Sequence, residues 1–249
     1  MRSGSLAVDI TNYVMLELGQ PLHAFDLDAL QGTVRAGRAQ PGESLETIDH
    51  VERTLSVDDL TIRDDRGPIG LAGTMGGATT EIADDTVNIA LEAAFFGAEV
   101  VARMGRRHRL TSEASRRFER GIDRALAPIA SARASELLVD LAGGTYQGMT
   151  AVEAPIKERF IRISGDLPSQ VAGMDLPVDD VIATLEAIGC SVAVDGGELT
   201  VAPPTWRPDL TDPADLVEEV ALQLVHGDQV LRERQQVRRG LGAVPDLPH

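Results

Sequence analysis

The sequence predicts an α+β protein of two units, and three observations carry that expectation. From Asp26 to Ala94, short apolar or alternating runs are separated by Pro-Gly, Asp-Asp and Gly-Gly breaks, as in a mostly antiparallel β region. Helical signals then take over as far as Gly144. After "VEAPIKE", which reads as a linker over 152–158, a second and smaller set of strand, helix, hairpin and helix begins. The expected organisation is a first unit over 1–151, a second over 159–226 and a divergent tail over 227–249.

The elements follow in order. In "NYVMLELGQPLHAFDLDAL", Asn12 to Leu30, the spacing of Val14, Met15 and Leu18 predicts a helix with one buried face. Gly19 and Pro21 end it, and the Gly-x-Pro break is expected to place His23 on a short rigid loop. Strands are predicted in "TVRAGRA", "RTLSV", "DLTIRD", "PIGLAG" and "VNIALEAA". "TSEASRRFERGI" offers Thr111 or Ser112 as a helix N-cap, and "LAPIASARASELLVDLAGG" carries a periodic face closed by Gly143 and Gly144. In the second unit, strand "RFIRIS" and helix "VDDVIATLEAIGC" precede a hairpin turning at Asp195-Gly196-Gly197. Helix "DPADLVEEVALQLV" closes it, with Asp212 as cap and Pro213 at the first helical position. That order is compatible with a winged-helix-like module. With aromatics at only 3%, the core must be mainly Val, Leu, Ile and Ala, with Phe25, Phe95, Phe96, Phe118 and Phe160 as isolated larger pieces.

A formal net charge of -16 argues against unassisted binding to a nucleic-acid backbone, which needs clustered cations. "ARMGRRHRLTSEASRRFERGIDR" runs the other way, with eight arginines against three acids, and is where an anionic partner should bind. Cys190 is the single cysteine, so a reducing cytoplasm is the expected setting. No run has the length of a membrane span, and no membrane partner is expected.

Several side chains could carry chemistry. "IGLAGTMGG", Ile69 to Gly77, lacks the Gly-Lys-Ser/Thr ending of a phosphate loop. Its glycines fit a β-bulge or corner, or backbone left bare for a ligand around Ala72 and Gly73. His23 follows the helix break, and Thr11 and Asn12 lie about three helical turns earlier. Whether they share a pocket depends on how the chain folds back. Glu92 lies in the apolar run "NIALEAAFF", where a carboxylate costs several kcal/mol, on the order of other buried charges, unless an arginine or a ligand satisfies it. "WRPDLTDPADLVEEV" groups Asp209, Asp215, Glu218 and Glu219, a set that suits either a hard cation such as Mg²⁺ or compensation of a helix dipole.

Four stretches, "VDITNYVMLELGQPLHAFDLDAL", "IGLAGTMGG", "TSEASRRFERGID" and "VAPPTWRPDLTDPADLVEEVA", together resemble the β subunit of bacterial phenylalanyl-tRNA synthetase, in the same order and at matching intervals. The resemblance covers residues 2 to about 226. It implies a mixed, antiparallel β-rich B3/B4 editing domain followed by a winged-helix-like B5 domain. It begins inside the family's subunit and ends soon after Glu219, so a partial subunit lacking the amino-terminal portion is expected.

The implied activity is hydrolysis of tyrosine from the aminoacyl end of mischarged tRNA(Phe). A pocket made for phenylalanine cannot strongly reject an isostere that adds a hydroxyl, so a second, hydrolytic sieve is needed. By resemblance Glu92 reads the tyrosine hydroxyl and His23 borders the amino acid or ribose. Thr11 and Asn12 lie near the scissile ester, Ala72 and Gly73 form the backbone wall, and Ser112 and Ala114 complete the pocket. The acidic set matches the family's Mg²⁺ motif in B5. The implied partner is the α subunit, which holds the amino-acid activation site in a heterotetramer. Two rivals stand beside this expectation: a non-catalytic module docking the α subunit or RNA, and a metal-dependent hydrolase centred on Asp209 to Glu219.

Overall fold

The computed structural model describes residues 4–152 and 158–223, and divides into two compact units at Ala154 and Pro155. Most of the expected linker and the tail over 227–249 lie outside the described residues.

Helix α1 (Leu6–Leu18) starts where the Ser5 side chain accepts a hydrogen bond from the Val8 N–H, and stops at Gly19, whose φ of 83° suits a residue without Cβ. Ile10 and Val14 pack against Ala130 and Ala134 of α4 (Ala127–Ala142). The chain then enters β1 (Leu22–Asp26), antiparallel to β8 (Ile89–Ala93). His23 therefore sits on a strand, which corrects the expected loop. Gly19 and Pro21 do end the helix, but the residues beyond them find a pairing partner about seventy positions away, information that local turn signals do not hold.

Strands β2 (Arg35–Arg38), β5 (Leu60–Asp64), β6 (Gly67–Leu71) and β7 (Met75–Gly76) form an antiparallel sheet in that order, with a register shift at Ile62 and Arg63. A small ribbon of β3 (Ser44–Glu46) and β4 (Glu52–Thr54) packs on this sheet through Leu45 and Leu71 and joins it by an isolated bridge between Thr47 and Gly77. Two helices follow β8: α2 (Ala98–His108), which the sequence pattern did not predict, and α3 (Glu113–Arg120). Ser112, not Thr111, caps α3, in a reciprocal capping box with Ser115.

Phe25, Phe96 and Phe118 are buried in one cluster with Ile62, Ile69, Ala72, Val101 and Ile122. The Phe96 and Phe118 rings lie 5.2 Å apart. Three of the five phenylalanines thus concentrate beside one sheet, whereas Phe95 and Phe160 are exposed. The expectation of five isolated core pieces fails because β1, the segment after β8 and α3 turn Phe25, Phe96 and Phe118 into one cluster, while Phe95 and, in the second unit, Phe160 take exposed positions.

In the second unit β9 (Ile161–Ser164), β11 (Glu198–Ala202) and β10 (Ser191–Asp195) make a three-stranded antiparallel sheet with β11 central. Asp195 pairs with Glu198 across Gly196 and Gly197, both at positive φ, as a two-residue hairpin loop requires. Helices α5 (Leu167–Ala172), α6 (Val178–Ala187) and α7 (213–223) complete the unit. Val181, Leu185, Leu199, Val201, Leu216 and Val220 are fully buried in its core. Both units are α+β with antiparallel sheets, as the sequence predicted.

Candidate active site

The β1–β8 ribbon separates two environments by the alternation of a strand. Leu22 and Leu91 face helices α1 and α4. His23, Phe25 and Glu92 line a pocket on the other side, with His23 directly opposite Glu92 in the register. The pocket has a volume of about 80 Å³, several times what one water needs. Its remaining wall comes from Pro21 and Leu22 at the start of β1, from Ile62 on β5, from Gly70, Leu71 and Gly73 to Gly76 on the β6–β7 hairpin, from Ala94 and Phe96 after β8, and from Ala114 and Phe118 on α3.

The hairpin can approach this closely because its glycines have no side chain. A Cβ on Gly76 would stand 2.6 Å from His23 Nε2, and closer still to Cε1. A Cβ on Gly73, which has a φ of 67°, would lie 2.9 Å from both the Phe96 and Phe118 rings. The stretch "IGLAGTMGG" is thus a hairpin corner and a pocket wall at once. The two readings that the sequence left open describe the same backbone.

Burial sets the charges. The His23 ring packs edge-on against Phe25, with centroids 4.5 Å apart, and its Nε2 is shut off from solvent without a hydrogen-bond partner among the described residues. Desolvation lowers its pKa to about 4, so the imidazole is neutral at physiological pH. Desolvation acts in the opposite sense on Glu92, raising its pKa to about 7. Among the described residues no arginine or other partner shifts the carboxyl back, and burial alone sets its affinity for a proton. The site therefore offers an acidic group able either to accept or to donate a hydrogen bond near neutrality, facing a neutral ring.

Residues 1–143 match the family model of the B3/4 domain. The chain belongs to the B3/4 domain family. Residues 161–223 match the tRNA synthetase B5 domain. The chain is 52% identical over 221 residues to the phenylalanine–tRNA ligase β subunit of Thermobifida fusca, covering 88% of this chain and 27% of that protein. It is 50% identical to the same subunit from Streptomyces avermitilis, covering 97% of this chain and 31% of that protein. The chain thus spans about a third or less of the length of these relatives. An N-terminal fragment of the phenylalanyl-tRNA synthetase β subunit from Pyrococcus horikoshii is 14% identical, with a TM-score of 0.41 over 86% of this chain and 64% of its own, a likeness too low to carry an argument. B3/4 followed by B5 is the organisation of a partial phenylalanine–tRNA ligase β subunit, an aminoacyl-tRNA synthetase component.

Within the B3/4 unit the structure brings His23, Glu92, Gly73 and Ala114 into one pocket and leaves the other expected residues off its lining. Ala72 is fully buried in the phenylalanine cluster behind the hairpin. Thr11 is buried on α1, where its hydroxyl donates to the Val8 carbonyl at 2.8 Å, and Asn12 follows it half-buried. Ser112 donates to the Thr74 carbonyl at 2.8 Å while capping α3, so it ties a lining residue to the helix without lining the pocket itself. Sequence reasoning passed over Gln20. It is fully buried, and its Nε2 donates to the carbonyls of Pro21 at 2.9 Å and Ala94 at 3.0 Å, both pocket residues. Its signal was a polar residue inside the Gly-x-Pro break, which the turn explained without it.

In the B5 unit the acidic set does not converge. Arg207 is held by Asp209 at 2.6 Å and by Glu219 at 2.5 Å. Asp215 accepts from the N–H groups of Thr211 and Asp212 at 2.7 and 3.0 Å, fixing the turn before α7. Glu218 is exposed. Among the described residues no group of three or more His, Cys, Asp or Glu could hold a metal. The residues do not fit the expected Mg²⁺ site, because a guanidinium and a backbone turn already occupy the carboxylates.

Proposed function

We propose that the B3/4 unit is an editing esterase that releases tyrosine from tRNA(Phe). The observation that carries this reading is Glu92, a carboxyl with a pKa near 7 on the wall of a small, mainly apolar pocket, with no partner of its own among the described residues. A phenol entering the pocket supplies the missing hydrogen bond. A phenyl ring leaves the carboxyl desolvated and unpaired, at a cost of about 1–3 kcal/mol or more. A site of this kind discriminates far better than one that merely tolerates a hydroxyl.

Gly73 and Gly76 let the backbone of the hairpin close on the bound group, and His23 stays neutral as part of the wall. With Nε2 turned into the Gly76 backbone, the imidazole does not serve as a proton shuttle. Hydrolysis then depends on a positioned water and on dipoles aimed at the developing oxyanion, with no protein nucleophile.

Two further parts of this reading rest on the relatives, which are named as β subunits: an α-subunit partner, and a cytoplasmic setting for the assembled enzyme. No described helix is long and apolar enough to cross a membrane.

The test is deacylation of Tyr-tRNA(Phe) by the purified chain, with Phe-tRNA(Phe) as control. Selective release of tyrosine is the expected result, and Glu92→Ala should abolish the selectivity while the fold is retained. Unchanged selectivity in the variant would show that Glu92 does not read the tyrosine hydroxyl. Absence of release by the wild-type chain would favour a binding module instead.

A further inference from the structure

Between Ala98 and Arg124 the chain carries eight arginines against four acids, in a protein whose formal net charge is -16. The structure divides these arginines into two groups. Arg103 pairs with Glu99, Arg107 with Asp58 and Asp59, and Arg116 and Arg117 both with Glu113. Those four are committed within the fold. Arg106, Arg109, Arg120 and Arg124 are exposed, and none has a carboxylate partner among the described residues.

The uncommitted arginines border the pocket helix. Arg106 and Arg109 line a shallow cleft with Gly105, Thr111 and Glu119. The cleft forms because α2 ends abruptly: Arg109 adopts a φ of 54°, and the Leu110 N–H returns to the Gly105 carbonyl at 2.9 Å. Arg120 is the last residue of α3, the helix that contributes Ala114 and Phe118 to the pocket wall. Beyond it, the Arg124 guanidinium stands 4.7 Å over the ring of Phe95, between pocket residues Ala94 and Phe96. Uncommitted cations therefore lie before, at the end of and after the helix that walls the site.

We propose that this face of α2 and α3 binds the phosphate backbone of the RNA strand whose aminoacylated end enters the pocket. The proposal rests on the editing reading for the identity of the strand. Guanidinium groups remain charged at any working pH and match phosphate oxygens with two parallel donors. A protein so acidic repels RNA at long range, so productive approach requires a local field of opposite sign. The acid in the cleft, Glu119, opposes binding there, so the face neutralises at most four phosphates.

The experiment uses the full chain and a variant carrying Arg106→Gln, Arg109→Gln, Arg120→Gln and Arg124→Gln. Binding of uncharged tRNA(Phe) is measured at several salt concentrations, and hydrolysis of the tyrosyl ester of adenosine, which has no phosphate backbone, is measured in parallel. The expected result is a Kd raised at least about tenfold at low salt. The log-log salt slope should flatten by about 2–3, given roughly 0.7 per single-strand phosphate. Hydrolysis of the small ester should stay at the wild-type rate. Arg35→Gln, which removes an exposed arginine paired with Asp65 on the β2 edge, should change neither binding quantity.

An unchanged Kd and slope in the fourfold variant would overturn the proposal and give the face to an acidic protein or to no partner. An equal effect from Arg35→Gln would overturn it too, since the binding would then be diffuse. If the fourfold variant melts early, the pair Arg106→Gln and Arg109→Gln alone must still flatten the slope by more than about 1. Failure of the wild-type chain to hydrolyse the small ester, with RNA binding still lost in the variant, would remove the editing reading and leave the RNA face standing.

Discussion

The opposed titrations of His23 and Glu92 make a prediction about stability that needs no substrate. Glu92 is raised from 4.5 to about 7 in the folded state, so its contribution is present below pH 4.5 and is lost as pH rises through 7. His23 is lowered from 6.5 to about 4, so its contribution is present above pH 6.5 and is lost as pH falls towards 4. Each gap corresponds to at most about 3.5 kcal/mol at roughly 1.4 kcal/mol per pH unit. Both side chains are only partly buried as whole residues, which makes that figure an upper bound. Between pH 4.5 and 6.5 the two slopes have opposite sign and nearly equal size, so in the wild-type protein they offset each other.

Separating the pair exposes each slope. Glu92→Gln should leave a B3/4 unit that loses up to about 3.5 kcal/mol on acidification from pH 6.5 to 4. His23→Asn should leave one that loses a similar amount as pH rises from 4.5 to 7. Hydrogen exchange of the β1 and β8 amides reads this unit directly. Trp206 is the chain's one tryptophan and lies in the other unit, so its fluorescence melt is an internal control that should not follow either substitution. Parallel pH profiles for wild type and both variants would refute the assignment of opposed desolvation at this site.

Two other outcomes follow from the geometry. Gly76→Ala should displace the His23 ring, because the new methyl would overlap Nε2 and Cε1, and should cost about 1–3 kcal/mol of B3/4 stability; an unchanged imidazole resonance by NMR would show that the hairpin has room to spare. Chelation with EDTA should leave the Trp206 melt of the B5 unit unmoved, whereas Arg207→Ala should lower it by leaving Asp209 and Glu219 without their shared cation. A melt that drops on chelation would restore a metal ion to the carboxylates that Arg207 otherwise holds.

The sequence by itself determined the local grammar. Gly19 ends α1 because its positive φ excludes most side chains, a hydroxyl at Thr111 or Ser112 starts α3, and Gly196-Gly197 sets a two-residue hairpin. Each depends on a few adjacent residues. It also established the order of the two domains, since four long stretches matched one family in series, and it singled out Glu92 as a carboxylate in an apolar run.

Only the tertiary structure decided what those residues face. His23 became a strand residue because Glu92 and its neighbours pair with it, a contact between distant segments that local signals cannot specify. Gly76 acquired its constraint because the His23 imidazole fills the space a Cβ would take, and Gln20 became a brace because the Ala94 carbonyl lies within its reach. The spacing of the acidic set left a cation site and helix-dipole compensation both open, and the family resemblance implied the cation; Arg207 reaches from the preceding loop and takes two of its members. Spacing along a chain fixes which side chains share one face of one element. Burial, and with it the pKa of about 7 at Glu92, belongs to the whole packed surroundings and is set only when separate elements close around the group.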